Sequence, residues 1–491
     1  MKLTEILSGI PFYETASSVT DIDINAIEID SRKVKSGSLF VCINGFTVDG
    51  HSYVKQAIDN GAVAIVTEKK VASSVPTITV SDTSRALGVL AVKFYNNPTS
   101  KIPLIGITGT NGKTTVSYLL ETIFQHYKKK SGVIGTIQMK IGEKTYPIDN
   151  TTPNSLWLQK SFQKMLDQNV EQAIMEVSSH ALDIGRVYGC DYDIAVFTNL
   201  SQDHLDYHKN MEDYLRAKSL LFAQLGNTYN EDDPKFAVIN EDDPSSTYMK
   251  KSTAQHVITY GCHNNAQVMA EDLQLDAKGT FFKLKTPVGT VTITSKLMGM
   301  FNIYNMLAAS TAAIAWNVPL HVIKHALESI PGVNGRFEAV TSNQSYAVIV
   351  DYAHTPDSLE NVLQTAKGFA RKKVYVVVGC GGNRDRAKRP LMAGIALKYA
   401  DHVIFTSDNP RSEDPRVILD DMTVGLEKSR EQYEVIIDRK KAIYQAIEHA
   451  QDEDIVLIAG KGHETYQQVG NVKYNFDDRK VARKAIQAKE K

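Results

Sequence analysis

Cysteine is scarce in this chain of 491 residues, and the few thiols lie far apart. No two of them stand in a CxxC pair, so the sequence contains neither a disulfide framework nor a zinc knuckle, and isolated buried thiols are expected. An excess of charge of one sign is also missing, because 55 Lys and Arg balance 56 Asp and Glu. Nucleic-acid-binding proteins usually carry a basic excess, so nucleic acid is not an expected partner. The thiols are Cys42, Cys190, Cys262 and Cys380.

Long hydrophobic runs are absent as well. No run approaches the ~18 apolar residues of a membrane-spanning helix, so we expect no membrane insertion. The first ten residues, MKLTEILSGI, have no long apolar core and no small-residue cleavage site, so a signal peptide is not expected. These features together predict a cytoplasmic protein. Internal repeats and low-complexity segments are also missing, which leaves an ordinary globular composition with 43% hydrophobic and 23% charged residues.

Short apolar runs rich in Val and Ile recur along most of the chain. Runs of this length without alternation predict strands that are covered on both faces. Stretches with helical spacing, such as Leu119, Leu120, Ile123 and Phe124, lie between them. This alternation predicts an α/β fold with a largely parallel sheet. The runs are 102–108, 173–179, 193–199, 236–240, 346–351, 374–379, 402–407, 434–438 and 455–460.

Two breaks in the pattern predict three domains. Segment 95–103 contains two prolines and small polar residues, and segment 330–338 contains Pro-Gly and Asn-Gly pairs. Turn chemistry this dense is typical of linkers or loops. We therefore predict a small mixed domain over 1–98, a central domain over 99–330 and a third domain over 331–491, in line with roughly 100–200 residues per domain.

The segment GITGTNGKTT (106–115) predicts a phosphate-binding loop between a strand and a helix. Gly109 and Gly112 let the backbone amides approach an anion, and the helix N-terminus adds its dipole. Lys113 would neutralise the β- and γ-phosphates, and the Thr114 hydroxyl would bind Mg²⁺. The spacing departs from GxxxxGK[ST], because Ile107 stands where Gly is usual. A glycine turn with a solvated lysine is the alternative reading. The loop predicts a nucleoside triphosphate but does not choose among kinases, motors, switches and ligases.

Two further strands end in polar residues that should meet this loop. Glu176 ends one strand, and His204 lies beyond the next. In parallel α/β sheets, ligands bind outside the carboxyl ends of the strands, so the loop, Glu176 and His204 should converge. A carboxylate and an imidazole there suit a second divalent cation. Taken singly, each is more simply a hydrogen-bonded loop residue.

Four polar loops follow four strands in the third piece of the chain. Their shared position predicts that they meet at one edge of a sheet, although each alone could be an ordinary surface turn. Their Arg and Lys residues suit a substrate with several carboxylates or phosphates. The loops are DYAHTPDSL (351–359), GCGGNRDRAKRP (379–390), DNPRSEDPR (408–416) and AGKGHETY (459–466).

The ordered motifs of the whole chain resemble the Mur ligases, the ATP-dependent amino-acid ligases of peptidoglycan synthesis. The motifs are GTNGKTT, EVSSHAL, TNLSQDHLDYH, GMFNIYN, GRFE, DYAHTPDSL, GCGGNRDRAKRP, DNPR and AGKGHE. The resemblance implies a UDP-binding first domain, a P-loop-type ATPase and a Rossmann-like third domain that presents the incoming amino acid. It further implies ligation of meso-2,6-diaminopimelate to UDP-N-acetylmuramoyl-L-alanyl-D-glutamate through an acyl phosphate, by a monomer that uses ATP and two Mg²⁺.

The resemblance also assigns roles to individual residues. The catalytic set is Lys113, Lys218, Glu176 and His204. The metal set is Thr114, Glu176, His204 and Lys218, the last as a carbamate formed with CO₂. ATP would contact Gly109, Thr110, Asn111, Gly112, Lys113, Thr114, Thr115, Asn302, Arg336 and Asp351. The UDP-muramoyl dipeptide would contact Ser31, Thr151, Thr152, Ser178 and Arg186. The family often has Gln where this chain has Ile184, which leaves one contact unassigned.

The DNPR loop indicates which amino acid is added. Diaminopimelate-adding members of the family carry DNPR, and meso-diaminopimelate has a second carboxylate that lysine lacks. Arg411 offers a planar, bidentate donor for that group. The implied diaminopimelate contacts are Arg384, Asp408, Asn409, Pro410, Arg411, Gly460 and Glu464. Alternatives are a lysine-adding Mur ligase, a ligase like folylpolyglutamate synthase, and a nucleotide-gated switch protein with no amino-acid site.

Overall fold

A computed structural model of the chain describes residues 1–15, 19, 22–45, 48–148, 150–276, 279–342, 344–426 and 432–490. Three large sheets follow one another along the sequence. Every apolar run predicted as a strand overlaps one, and the predicted α/β class is confirmed. Within the described ranges, no helix combines the length and apolar character needed to cross a membrane.

The first sheet has five strands in the order β1-β5-β4-β3-β2, with β1 antiparallel to β5 and the other pairs parallel. Its strands are β1 Glu14–Thr15, β2 Ala26–Glu28, β3 Ser38–Val41, β4 Ala62–Thr67 and β5 Thr77–Thr79. Its helices are α1 Leu3–Leu7, α2 Val54–Asp59 and α3 Thr83–Phe94. Short 3₁₀ turns cover Ser31–Lys33, Gly50–Tyr53 and Pro98–Ser100.

The central sheet has eleven strands, and its middle is parallel from β14 through β13, β12, β11, β6 and β10 to β7. Its strands are β6 Leu104–Thr108, β7 Ser131–Ile134, β8 Met139–Ile141, β9 Lys144–Tyr146, β10 Gln172–Glu176, β11 Ile194–Phe197, β12 Phe236–Asn240, β13 His256–Gly261, β14 Val268–Asp276, β15 Gly279–Thr286 and β16 Gly289–Ser295. Its helices are α4 Lys113–His126, α5 Ser155–Asp167, α6 Ser179–Asp183, α7 Met211–Ala223, α8 Ser246–Lys251, α9 Met300–Ala315 and α10 Leu320–Ser329. Both edges are antiparallel, which the sequence pattern did not predict.

The third sheet has six strands in the order β17-β18-β22-β19-β20-β21. Its strands are β17 Glu338–Ala339, β18 Ala347–Asp351, β19 Val374–Val378, β20 His402–Phe405, β21 Tyr433–Val435 and β22 Ile455–Ala459, and a separate hairpin joins β23 Tyr466–Val469 to β24 Val472–Asn475. Its helices are α11 Pro356–Phe369, α12 Lys388–Tyr399, α13 Pro415–Thr423, α14 Arg439–His449 and α15 Asp478–Lys489. All pairs from β18 to β21 are parallel, so their carboxyl ends form one edge.

Burial of apolar side chains explains how the central sheet positions its loops. Helix α4 places Leu119, Leu120, Ile123 and Phe124 in the core, as their spacing predicted. Helix α9 packs against α4 and against β12 and β13. Because these helices cover one face and α5 and α7 pack on the opposite face, the carboxyl ends of the strands are left as the open edge.

Candidate active site

The phosphate loop occupies the turn between β6 and α4. Gly109 has φ +147° and Gly112 has φ +88°, a region that L side chains rarely adopt. A Cβ on Gly109 would lie 1.8 Å from the Thr198 hydroxyl oxygen, so only glycine fits there. The Lys113 ammonium donates hydrogen bonds of 2.8 Å to the carbonyls of Gly109 and Thr110. The lysine therefore ties the loop to itself, and the backbone N–H groups of Thr110 and Asn111 donate to Asn199.

A cluster of oxygen ligands lies directly behind the loop. The Thr114 hydroxyl donates to the Glu176 carboxylate over 2.9 Å. The Thr136 hydroxyl donates to the same carboxylate oxygen over 2.8 Å, and its backbone N–H donates to the other oxygen. Arg336, from beyond the central sheet, donates to the Thr114 hydroxyl over 3.1 Å. Hydroxyl and carboxylate oxygens are the ligands that Mg²⁺ prefers, so this donor set fits a magnesium ion.

Lys218 is 1% exposed and lies beneath the loop. Its ammonium donates to the Gly109 carbonyl over 2.8 Å and lies 4.4 Å from the centre of the Tyr214 ring. Burial lowers the pKa of Lys218 well below its usual value, and the neighbouring Lys113 lowers it further. A lowered pKa increases the share of neutral amine, which is the form that reacts with CO₂ to give a carbamate. Without the resemblance, the position of Lys218 in YLRAKSLLF predicts an exposed helical lysine, and that prediction is wrong.

His204 meets the loop from the end of β11. Its backbone is left-handed, with φ +56°, and its imidazole lies 3.4 Å from the Asp203 carboxylate. Burial lowers the pKa of His204 to about 3, against the raising effect of Asp203. The ring is therefore neutral and keeps a lone pair for a cation. Among the described residues, no third His, Cys, Asp or Glu forms a tight ligand cluster with Glu176 and His204. Hydroxyls, phosphate or water would therefore complete the coordination shell of any metal bound here.

The predicted convergence of the loop, Glu176 and His204 is confirmed by the strand pairing. Strand β6 lies between β10 and β11 and is parallel to both. The three segments that follow these strands line one cavity of about 310 Å³. Four of the five residues assigned to the muramoyl dipeptide line the same cavity: Thr151, Thr152, Ser178 and Arg186. Arg336, Tyr352, His354 and Arg384 close it from the third-sheet side.

Hydrogen bonds hold in place the residues that the resemblance assigns to the UDP-muramoyl dipeptide. The Thr152 hydroxyl donates to the Glu176 carbonyl and accepts the Ser178 N–H. Arg186 donates to the Thr152 carbonyl over 3.1 Å. The Thr151 hydroxyl lies 3.1 Å from the Thr136 hydroxyl, which ties it to the oxygen cluster. These bonds connect the residues that the resemblance assigns to the dipeptide with the oxygen cluster around Glu176.

A second cavity, of about 280 Å³, lies on the other side of the loop between α9 and α11. It is lined by five of the residues that the resemblance assigns to ATP: Asn111, Gly112, Thr115, Arg336 and Asp351. The Asp351 carboxylate accepts the backbone N–H groups of Phe337 and Ala353, and burial raises its pKa. Asn302 lies behind this wall, where its side-chain oxygen accepts a 3.3 Å bond from Asn305, which does line the cavity.

The four polar loops of the third sheet meet at one edge, as predicted, because β18, β22, β19 and β20 are adjacent and parallel. Asn409 donates to the Glu464 carboxylate over 2.8 Å, and Lys461 donates to both side chains. A Cβ on Gly460 would lie 2.6 Å from the Asp408 carboxylate, so glycine allows this close approach. A Cβ on Gly382 would lie still closer to its neighbour, 1.9 Å from the Pro410 carbonyl oxygen.

Two guanidinium groups project from this edge. Arg411 has a left-handed backbone, with φ +53°, and donates to the Gly382 carbonyl over 2.8 Å. Arg384 is exposed and donates to its neighbouring carbonyl, that of Asn383. Burial lowers the pKa of Arg411, and the nearby Arg384 lowers it further. Two like charges this close suit a ligand that brings a carboxylate.

Ser31 lies apart from both cavities, in the first sheet's region. It is 5% exposed, and its hydroxyl donates to Gln56 over 2.7 Å. The Asn60 side chain donates to the Ser31 carbonyl over 2.9 Å. The contact proposed between Ser31 and UDP stays a prediction.

Sequence reasoning missed several residues that connect the central and third sheets at the site. Asp203 is 4% exposed, lies 3.5 Å from the Lys388 ammonium and lies 3.9 Å from His354. The Asp357 carboxylate accepts a 2.9 Å bond from Asn111 of the phosphate loop. Asp203, His354, Asp357 and Lys388 all stand inside motifs already identified, but their partners lie more than 150 residues away in the chain. Spacing alone therefore gave no signal for these pairs.

Comparisons with known proteins agree with this geometry. Profiles described as "Mur ligase family, catalytic domain", "Mur ligase middle domain" and "Mur ligase, glutamate ligase domain" match residues 23–95, 107–313 and 335–462. The UDP-N-acetylmuramoyl-L-alanyl-D-glutamate--2,6-diaminopimelate ligase of Oceanobacillus iheyensis is 65% identical over 491 residues, which is 100% of both chains. The enzyme of that name from Bacillus velezensis is 56% identical over 486 residues, which is 99% of both chains.

A solved structure of a UDP-N-acetylmuramoyl-L-alanyl-D-glutamate--2,6-diaminopimelate ligase has the same fold. Its TM-score is 0.70 and its sequence identity is 35%, with 100% of each chain covered. Similarity of sequence and of fold thus extends over the complete chain. The protein therefore belongs to the Mur ligase family.

Proposed function

We propose that the protein is an ATP-dependent ligase that joins meso-2,6-diaminopimelate to UDP-N-acetylmuramoyl-L-alanyl-D-glutamate. One observation carries the proposal: the phosphate loop and Arg384 of the amino-acid loops line a single cavity. A group activated at the loop would therefore face an amine held at the third sheet. The names of the relatives that match the whole chain support the same reaction.

The nucleotide would lie across both cavities. Its triphosphate would bind the amides of 109–115 and the Lys113 ammonium, and its nucleoside would occupy the second cavity near Asp351 and Asn305. Thr114 and Glu176 would hold one Mg²⁺. His204 and a carbamate on Lys218 would hold or orient a second. Bound magnesium would neutralise charge on the phosphates during transfer.

The reaction we propose begins at the D-glutamate γ-carboxylate of the acceptor. Thr152 and Arg186 would hold the acceptor so that this carboxylate faces the γ-phosphate. Lys113 and Arg336 would stabilise the charge of the phosphoryl group as it moves to the carboxylate, which gives an acyl phosphate. The amine of diaminopimelate then attacks the acyl carbon, and phosphate leaves. No side chain forms a covalent intermediate in this sequence of steps.

The incoming amino acid would bind at the carboxyl edge of the third sheet. Arg411 and Arg384 would bind the carboxylate that distinguishes diaminopimelate from lysine, and Glu464 would bind an ammonium group. Asp408, Asn409, Pro410 and Gly460 would shape the pocket. Ser31 would contact UDP at the first sheet.

We further propose a cytoplasmic monomer with domains at 1–98, 99–330 and 331–491. Each proposed domain contains one of the three large sheets, which supports this division. The profile match over 23–95 argues against a ligase like folylpolyglutamate synthase, which lacks the small first domain.

Phosphate release tests the proposal. Purified protein is supplied with ATP, Mg²⁺ and the UDP-muramoyl dipeptide, and then with meso-diaminopimelate, lysine or no amino acid. We expect rapid release only with diaminopimelate, together with a product heavier by one diaminopimelate residue in mass spectrometry. Equal release with lysine would favour the lysine-adding alternative, and release that needs no amino acid would favour a nucleotide switch.

A further inference from the structure

Three metal-ligating side chains meet at the amino edge of the third sheet, away from both cavities. His402 Nε2 lies 2.9 Å from Glu434 Oε1, and His449 Nδ1 lies 4.0 Å from the same oxygen. One ligating atom from each residue lies within 4.8 Å of the other two. Among the residues that the structure describes, these three form the one group of at least three His, Cys, Asp or Glu side chains whose ligating atoms lie that close together.

The topology explains why the three residues meet. Strands β20 and β21 are parallel, with Ile404 beside Glu434. His402 lies two residues before Ile404, so its side chain projects from the same face of the sheet. Helix α14 packs on that face, where Ile447 and Ile404 share one core cluster. His449 follows Ile447 by two residues and ends the helix.

The donor set selects a class of ion. Two imidazoles and one carboxylate suit borderline transition cations such as Zn²⁺, whereas Mg²⁺ and Ca²⁺ prefer oxygen ligands. Ligands about 2.0–2.1 Å from a tetrahedral zinc ion lie roughly 3.3 Å from one another. The separations of 2.9 and 4.0 Å bracket that value, so small side-chain rotations would complete the geometry.

The surroundings also favour a cation. In the described part of the chain, the ion-pair partners of Glu434 are the two imidazoles and not a Lys or Arg. The site lies at the C-terminal end of α14, where the helix dipole attracts positive charge. The side chains of His402, Glu434 and His449 are 22%, 35% and 40% exposed, so an ion can reach them from solvent.

A neighbouring amide holds one of the rings. Gln445 Nε2 lies 3.0 Å from His449 Nε2, which leaves Nδ1 directed towards Glu434. With a metal on Nδ1, Nε2 carries the proton, and the Gln445 amide turns so that its oxygen accepts the N–H. Such partners of metal-bound imidazoles fix the tautomer and orientation of the ring.

We propose that His402, Glu434 and His449 bind one divalent transition cation of the Zn²⁺ class, with water as the fourth ligand. The ion would join β20, β21 and α14. Residues 408–411 follow the opposite, carboxyl end of β20, so the ion would not touch the substrates of the proposed ligase. The site is therefore structural and independent of the function proposed above.

A cobalt titration tests this site, because Co²⁺ replaces Zn²⁺ and absorbs visible light when bound by nitrogen ligands. The full-length protein is stripped with a chelator and titrated with Co²⁺ in excess Mg²⁺. We expect one equivalent with tetrahedral absorption, which Zn²⁺ displaces. Glu434→Gln and His449→Asn should each weaken binding by at least about tenfold, since loss of even an outer-sphere partner has an effect of that size.

His325→Asn is the matched control. His321 and His325 are exposed one turn apart on α10 and present a second pair of imidazoles. Binding should be unchanged in His325→Asn, and Zn²⁺ should raise the Tm of this variant and of the wild type but not that of His449→Asn. The proposal is overturned if the wild type binds no more Co²⁺ than Glu434→Gln, or if His325→Asn abolishes binding. Circular dichroism establishes that each variant is folded.

Discussion

The site has two edges, which are built differently. The central edge is the carboxyl edge of the central sheet, and the third-sheet edge is the carboxyl edge of the third sheet. At the central edge, the polar groups are buried and already hydrogen-bonded within the protein: Thr114 is 2% exposed, Glu176 1% and Lys218 1%. At the third-sheet edge, the acceptors that Arg384 and Arg411 have among the described residues are main-chain carbonyls, and Arg384 is exposed. The first edge is preorganised for phosphate chemistry, which benefits from groups that do not need to move. The second edge has unpaired positive charge, which a ligand carboxylate can neutralise. Changes at the first edge should therefore abolish the reaction, and changes at the second should alter the choice of amino acid.

The largest effect is expected from Lys113→Ala. This variant removes the cation that would face the β- and γ-phosphates in the proposed complex, and phosphate-stabilising cations contribute about 1,000-fold or more to phosphoryl transfer. We expect kcat for phosphate release to fall by about that factor. Lys129→Ala is the control, because Lys129 forms an exposed ion pair with Glu171. Retention of more than a tenth of the wild-type kcat in Lys113→Ala would contradict the proposed role of the loop.

Lys218→Ala should have the second-largest effect, a fall of about 100-fold in kcat for phosphate release. This is the upper end of the effect of removing a group that orients a metal ligand. Carbamate formation can be measured directly: with ¹³C-bicarbonate, the wild type should give a carbamate carbon signal in NMR that Lys218→Ala lacks. Lys209→Ala, an exposed lysine just before α7, should keep both the signal and the activity. An identical signal in Lys218→Ala would place the carbamate on another amine.

Arg411→Ala should affect only the amino-acid side. Charge-assisted hydrogen bonds are worth about 2 kcal/mol, which corresponds to roughly a 30-fold fall in kcat/KM for meso-diaminopimelate. The KM for ATP should stay unchanged, because Arg411 lines neither of the two cavities in which the nucleotide is proposed to bind. Arg416→Ala, an exposed arginine five residues further on, is the control. An equal loss in the use of ATP and diaminopimelate would mean that the two edges do not act separately.

The smallest expected effect is on the pH dependence of thermal stability. Burial, together with the nearby Arg336 and Arg479, lowers the pKa of His463, in the loop after β22, to about 3. The unfolded chain takes up a proton as pH falls through ~6.5, while the folded chain does not until far lower pH. This contribution to stability is therefore complete above pH ~6.5 and is lost as pH falls towards 3. The Tm of the wild type should decrease from pH 7.5 to 5 more steeply than that of His463→Asn, whereas His263→Asn, an exposed control, should match the wild type. Equal slopes for all three proteins would contradict this account.

Prediction from sequence succeeded where the chemistry is local in the chain. The loop at 106–115 needs only a strand, two glycines and a helix start, and all three are encoded within ten residues. Parallel pairing then brings Glu176 and His204 to the loop, because neighbouring strands end at one edge. The four third-sheet loops converge for the same reason.

Prediction failed where contacts join distant segments or where strands are not apolar throughout. The pairs Asn111–Asp357 and Asp203–Lys388 depend on how the central and third sheets meet, which no local pattern encodes. Strand β15 alternates buried and exposed residues, so it does not form the continuous apolar run that marked the parallel strands. The burial of Lys218 was missed although a local signal exists: Tyr214, Leu215, Leu221 and Phe222 stand three and four residues away on α7, which places the lysine on the apolar face of the helix.

The most direct test of the account follows oxygen atoms. If the two edges cooperate through an acyl phosphate, then UDP-muramoyl dipeptide labelled with ¹⁸O in both oxygens of the D-glutamate γ-carboxylate should transfer one label to each phosphate released in the presence of meso-diaminopimelate. Mass spectrometry of the phosphate measures this transfer. One ¹⁸O per phosphate is the predicted result, and unlabelled phosphate would contradict the central claim that the γ-carboxylate is activated at the loop around Lys113.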